Sequence, residues 1–168
     1  MIFGAKKHKA VADAVTEAVR PSVAAASTRN GVPAGFWDDP FVLGYLMGRI
    51  NAGMAIEGGE SLSVADKGRV VVDCLAALSG AKGKAISEMA MVHAQTEQPD
   101  FMRANASGMF IALYEAERVP DEDRNPAVAA ASQAVGASGA QPCRRSIADH
   151  LAQNYWVNEV RNRFTVGI

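Results

Sequence analysis

Alanine recurs at helical spacing along nearly the whole chain, beside valine, leucine and methionine. The sequence of 168 residues contains 31 alanines, and 49% of its residues are hydrophobic. Alanine loses no side-chain entropy in a helix, and its small side chain lets two helix backbones approach closely. The apolar residues follow the helical period, and no segment shows the convincing alternation of a half-buried strand. The sequence therefore predicts an all-α fold.

Start and stop signals divide the chain into six or seven helices. Valines at i+4 spacing predict a first helix over 5–27, kinked at Pro21. Asp39–Pro40 and Asn125–Pro126 each combine an N-cap residue with a proline at the first helical position. Ser63 and the acid three residues later resemble a capping box. The further predicted helices cover about 40–56, 64–80, 84–96, 99–119 and 126–136, with a last helix that opens at Pro142.

Short connectors between these helices predict an irregular or orthogonal bundle. We expect one domain over 1–168, with a flexible N-terminus at 1–5. Helical spacing also predicts which side of each helix faces the core. The third helix carries the apolar residues Val64, Val71, Leu75 and Leu78. The predicted inward stripe of the fifth helix is Phe101, Asn105, Gly108, Met109, Ala112 and Ala116.

Charge and composition argue against two classes of partner. The 17 basic and 18 acidic side chains nearly cancel, so no overall positive field attracts nucleic acid or an anionic membrane. No apolar stretch is long enough to span a bilayer, and the N-terminus lacks the apolar core of a secretion signal. Cys74 and Cys143 are too few for a disulfide framework. We expect a cytoplasmic protein with free thiols and neither a nucleic-acid nor a membrane partner.

The second predicted helix carries small residues at four-residue spacing: Gly44, Gly48 and Ala52. Glycine costs about 1 kcal/mol relative to alanine in a helix interior, so two on one face need a compensating reason. Missing Cβ atoms permit close contact with another backbone. This face either packs against a helix of the same chain or forms a self-associating surface or one side of a ligand groove.

Cys143 is the candidate for a reactive thiol. We expect it at the second helical position after Pro142, where the helix N-terminus favours a thiolate. The neighbouring Arg144 and Arg145 add positive charge, so the same place is a candidate anion-binding site. His150 lies seven residues further on, about 10 Å along the axis, which is too far for it to act as the base of Cys143.

The remaining polar residues form no complete catalytic or metal-binding motif, so we predict no catalytic residue, cofactor or metal ligand. Ser146 and His150 have triad residue types, but Asp149 adjoins His150 and points about 100° away from it. We expect a protein that acts by association, as a homodimer or with an unidentified protein partner. The alternative is a helical ligand-binding protein or enzyme with a cleft near the second and last helices.

Overall fold

The computed structural model describes residues 2–119 and 125–165, with side chains for 7–119 and 125–164. Within these ranges the chain forms seven helices and no strand, which confirms the predicted all-α bundle. Short 3-10 turns lie at Phe36–Asp38 and Gly59–Ser61. The helices are α1 (Ile2–Ala26), α2 (Pro40–Ile56), α3 (Val64–Ser79), α4 (Gly83–Gln95), α5 (Pro99–Glu115), α6 (Pro126–Ala137) and α7, which comprises Arg144–Ala152, a π-helical segment at Gln153–Val157 and Asn158–Thr165.

Side-chain caps begin several of these helices where the sequence predicts them. The Asp39 carboxylate accepts a hydrogen bond of 3.0 Å from the Val42 amide at the start of α2. The Ser63 hydroxyl accepts one of 3.1 Å from the Asp66 amide in α3. Asn125 caps α6 in the same way. Each cap satisfies an amide that has no partner within the helix, so these starts follow from local chemistry.

Three helix ends differ from the prediction. The first helix begins at Ile2 rather than at residue 5 and continues through Pro21. Helix α5 ends at Glu115 rather than near residue 119, because Glu117 takes a left-handed conformation with φ 58°. Cys143 is the N-cap of α7, not its second helical residue. Its amide donates to the Ser146 hydroxyl at 2.9 Å in a capping box, which starts the helix after Cys143.

Two of the apolar residues named above for the third and fifth helices lie at the surface. Val64 is 89% exposed, because it is the first residue of α3 and the buried side of this helix begins at Val70. Met109 is 37% exposed, although the helical stripe predicts it inside. The backbone amide of Met109 lies against α2, and other side chains of α5, including that of Ile111, are buried in the core. The main chain of Met109 therefore makes the contact, and its side chain remains partly in solvent.

Helix α2 is the centre of the fold. It has 12 buried residues among its 17, and its most extensive partner is α5. Trp156 connects α7 to this centre: its ring stacks on Tyr45 with centroids 4.4 Å apart, and its Nε1 donates a hydrogen bond of 2.7 Å to the Ser22 carbonyl oxygen. One continuous cluster of buried side chains draws on all seven helices.

The π-helical segment sets the direction of two aromatic side chains in α7. A π turn inserts one extra residue into the helical register. Within this segment Trp156 is 1% exposed, whereas the preceding Tyr155 is 43% exposed. The structure therefore uses Trp156 to anchor α7 in the core and leaves the Tyr155 ring at the surface near α5 and α6.

Candidate functional site

The two glycines of α2 lie inside the chain, at its crossing with α5. A Cβ atom added to Gly44 would be 2.3 Å from the Phe101 carbonyl oxygen. A Cβ on Gly48 would be 2.1 Å from the Asn105 carbonyl oxygen. Real Cβ atoms do not approach backbone that closely, so both positions require glycine at the present helix separation. Ala52, on the same row of α2, is 3% exposed.

Helix α5 contributes a glycine of its own to this crossing. A Cβ on Gly108 would lie 2.3 Å from the Tyr45 carbonyl oxygen. Glycines on both helices therefore permit their close approach. A similar contact joins α4 to α3, where a Cβ on Gly83 would meet the Val72 carbonyl oxygen at 2.2 Å. Nothing in the sequence distinguishes Gly83, since it stands alone at a helix start without a four-residue pattern.

One row of side chains on the outward side of α5 is apolar, next to the exposed Arg103. Met102 is 48% exposed and Met109 is 37% exposed, while Ala106 is exposed and Leu113 is half-buried. Their spacing of four, seven and eleven residues places them on one side of the helix. We call Met102, Ala106, Met109 and Leu113 the outer stripe.

An apolar groove adjoins the outer stripe. It has a volume of about 250 Å³ and lies between α5, the start of α6 and the π segment of α7. Ala106 and Phe110 line it from α5, Ala127 from α6, and Tyr155 from α7. The sequence contained a signal for this surface, because α5 has apolar residues at helical spacing on two sides, of which only one can face the core.

Cys143 lies in a separate cleft between the end of α5 and the start of α7. The cleft has a volume of about 600 Å³. The thiol is fully exposed, and a hydrogen bond from the Ser146 side chain, followed by the Ser146 backbone amide, lowers its pKa below the ordinary value. The Ser146 hydroxyl has a single proton, for which the Gln141 and Cys143 carbonyl oxygens, at 3.2 and 3.0 Å, are competing acceptors. The lowered pKa favours the thiolate.

Arg144 and Arg145 line the same cleft but differ in their surroundings. The Arg144 guanidinium donates a hydrogen bond of 2.9 Å to the Tyr114 carbonyl oxygen and lies 4.6 Å from the Tyr114 ring centroid. Arg144 thus fastens α7 to α5, while the exposed Arg145 extends along the cleft. Carboxylates also line the cleft and offset this positive charge, so its charge does not select an anion. They belong to Glu115, Glu117 and Asp149.

The triad residue types of α7 do not assemble into a catalytic unit. His150 Nε2 lies 2.8 Å from the Asn154 side-chain nitrogen, and the Ser146 hydroxyl belongs to the helix cap. In the described part of the chain no three metal-ligating side chains come together. Nor does any helix described here have the length and apolar content to cross a membrane.

No protein-family model, no curated protein and no solved structure matches this chain. Among the described residues, the outer stripe of α5 and the Cys143 cleft are two candidate functional surfaces. They differ in chemistry. The stripe consists of apolar side chains on one helix, whereas the cleft contains charged groups from two helices.

Proposed function

We propose that this chain acts by associating with another protein chain through the outer stripe of α5. One observation carries the proposal: Met102, Ala106, Met109 and Leu113 form an apolar row on the outward side of α5, although the other side of this helix already packs into the core. The solvent side of a surface helix is ordinarily polar. A continuous exposed apolar surface of this kind marks an interaction site.

The residue types on and beside the stripe suit a contact with protein. Burial of apolar surface stabilises an interface by about 25 cal/mol per Å², before the costs of association. Methionine adapts its unbranched side chain to a partner, and both methionine and tyrosine are enriched at protein interfaces. The small side chain of Ala106 lines the adjoining groove, together with the half-exposed ring of Tyr155. A side chain of a partner can fill such a groove.

Site-specific photo-crosslinking tests this proposal. A photoreactive phenylalanine analogue replaces Met109 in the chain expressed in its own cells, and a matched variant carries it at Lys84, an exposed position on α4. We expect light-dependent covalent adducts with a protein chain from position 109 and none from position 84. Equal adduct formation from the two positions, or none from position 109, would contradict the proposal.

The Cys143 cleft supports a second candidate function, the binding of a small polar ligand. The observation that favours it is the convergence of a thiol and charged side chains from α5 and α7. Native mass spectrometry of the chain isolated from its own cells tests this function. A retained small molecule that is lost from an Arg145→Ala variant would support it, and a wild-type spectrum that contains only the mass of the chain would contradict it.

A further inference from the structure

We propose that a groove between α1, α2 and α5 binds a small neutral molecule that combines an apolar body with a carbonyl group. This site is separate from the outer stripe and from the Cys143 cleft, although Glu115 lines both the cleft and the groove. The groove has a volume of about 230 Å³, which is room for roughly seven to eight water-sized groups at about 30 Å³ each. The ligand is therefore a compound with about that many non-hydrogen atoms.

Arg49 brings a buried guanidinium to this groove. Its side chain is 9% exposed, and its Nη2 atom lies 2.8 Å from a carboxylate oxygen of Glu115. The same nitrogen donates a hydrogen bond of 3.4 Å to the Ala18 carbonyl oxygen. Both contacts use Nη2, so the N–H groups of Nε and Nη1 take no part in them. The buried Tyr45 hydroxyl has no hydrogen-bond partner among the described residues, so it does not accept from these N–H groups either.

These remaining donors favour a bound group that offers an oxygen atom. A guanidinium has five N–H donors and no acceptor, and a buried donor without a partner destabilises the site. The carbonyl oxygen of a ligand accepts from Nε or Nη1 and leaves the ion pair between Arg49 and Glu115 in place. The polar end of the ligand therefore lies at Arg49.

The other walls of the groove suit an apolar body. They consist of small or aliphatic residues from three helices: Ala18 and Val19 of α1, Gly53 and Ile56 of α2, and Ala112 and Ala116 of α5. Side chains of this kind offer water no hydrogen bonds, so an apolar group displaces water from them favourably. The groove thus combines one polar end with apolar walls.

Charge favours a neutral ligand over an ion. The Glu115 carboxylate already neutralises the Arg49 guanidinium, and the exposed Glu57 adds a second carboxylate to the lining. A carboxylate ligand would therefore meet two like charges beside a single arginine. An ammonium ligand has no acceptor for the Arg49 donors. A neutral carbonyl group accepts from Arg49 without either disadvantage.

Titration of the chain with pentanamide, followed in amide NMR spectra, tests this site. Pentanoate is the matched probe, because it has nearly the same shape and carries a negative charge. We expect pentanamide to cause saturable shifts of the Val19, Gly53 and Ala112 amide signals, with a dissociation constant on the order of 10⁻³ M for a ligand of this size. Pentanoate should bind several-fold more weakly. Pentanoate binding as tight as that of pentanamide would overturn the neutral ligand.

Two substitutions test the walls and the donors separately. Ala18→Leu fills the groove from an exposed position and keeps the backbone carbonyl that accepts from Arg49, and Ala25→Leu, also exposed on α1, is its matched control. Ala18→Leu should abolish the pentanamide shifts, and Ala25→Leu should retain them. Arg49→Met should weaken pentanamide binding about ten-fold, through loss of a hydrogen bond to a charged donor.

A native chain without saturable shifts, or an Ala18→Leu variant that binds pentanamide as the native chain does, would overturn the site. Undiminished binding by a folded Arg49→Met variant would overturn the role of the guanidinium. Because Ala18→Leu keeps Arg49 and its ion pair, it tests the site even where Arg49→Met does not fold. Circular dichroism of each variant provides the control for folding.

Discussion

Replacement of Gly48 by alanine tests the close contact between α2 and α5 on which the bundle is built. The added Cβ would lie 2.1 Å from the Asn105 carbonyl oxygen and 2.8 Å from the Met109 amide nitrogen. An ordinary contact between carbon and a carbonyl oxygen is about 3.3 to 3.6 Å. Both obstructing atoms belong to the backbone and cannot rotate away, so the two helices must separate by more than about 1 Å.

The magnitude follows from two opposing effects. Overpacking of a close contact costs about 1 to 3 kcal/mol, and a backbone obstruction belongs at the upper end of that range. The higher helix propensity of alanine offsets this cost by about 1 kcal/mol relative to glycine. We therefore expect Gly48→Ala to lower the free energy of unfolding by about 2 kcal/mol. For a chain of this size, that change lowers the Tm by roughly 4 to 8 °C.

Urea and thermal unfolding followed by circular dichroism measure this change. The matched control is Gly68→Ala, at an exposed position in α3 where an added Cβ meets nothing within 4 Å. The free energy of unfolding of this control should rise by up to about 1 kcal/mol, because alanine has the higher helix propensity and its Cβ atom meets no neighbouring atom at this position. A Gly48→Ala protein as stable as the parent chain would refute the close contact, whatever the control shows.

The remaining predictions concern two ionisable sites. Iodoacetamide should label Cys143 faster than Cys74 near neutral pH. Hydrogen bonds from Ser146 lower the pKa of the Cys143 thiol, whereas burial raises the pKa of the Cys74 thiol. Equal labelling rates for the two thiols would contradict this prediction. A hydrogen bond from Arg163 lowers the pKa of Asp100, so their ion pair stabilises the fold above the unfolded carboxyl pKa of about 3.9 and is lost as the pH falls through the lower folded value. As the pH falls below about 4, the free energy of unfolding of Asp100→Asn should therefore decrease less than that of the native chain. An identical pH dependence for the two proteins would refute this role.

Helix starts could be predicted from the sequence because their chemistry is local. The caps at Asp39, Ser63 and Asn125 each involve an amide two or three residues away, and the structure contains all three hydrogen bonds. Cys143 shows the limit of this reasoning. Its place near a helix start was predicted, but the reciprocal bond from its amide to Ser146 makes it the cap rather than the second helical residue. Residue type alone does not distinguish two helix starts that differ by two residues.

The direction of each helix face was harder to predict, since it depends on distant segments. Helix α5 has apolar residues on two sides, so its periodicity is compatible with more than one inward direction. The pairing of Gly108 with α2 decides the orientation and leaves Met109 partly exposed. The Cys143 cleft depends in the same way on tertiary structure, because Glu115 at the end of α5 and Glu117 just after that helix line it. No local pattern near residue 143 contains that information.

Sedimentation equilibrium of the native chain beside an Ala106→Glu variant tests the role of the outer stripe most directly. Ala106 is exposed, so glutamate leaves the monomer intact but would bury a charge at the centre of the interface. Ala65→Glu on α3 serves as the matched control. We expect the native chain and the control to rise from 17.7 kDa towards twice that mass with concentration, while Ala106→Glu remains at 17.7 kDa. The Tm of Ala106→Glu should equal that of the native chain when both are dilute enough to be monomeric. A native chain that stays at 17.7 kDa, or an Ala106→Glu variant that associates equally well, would contradict self-association through α5.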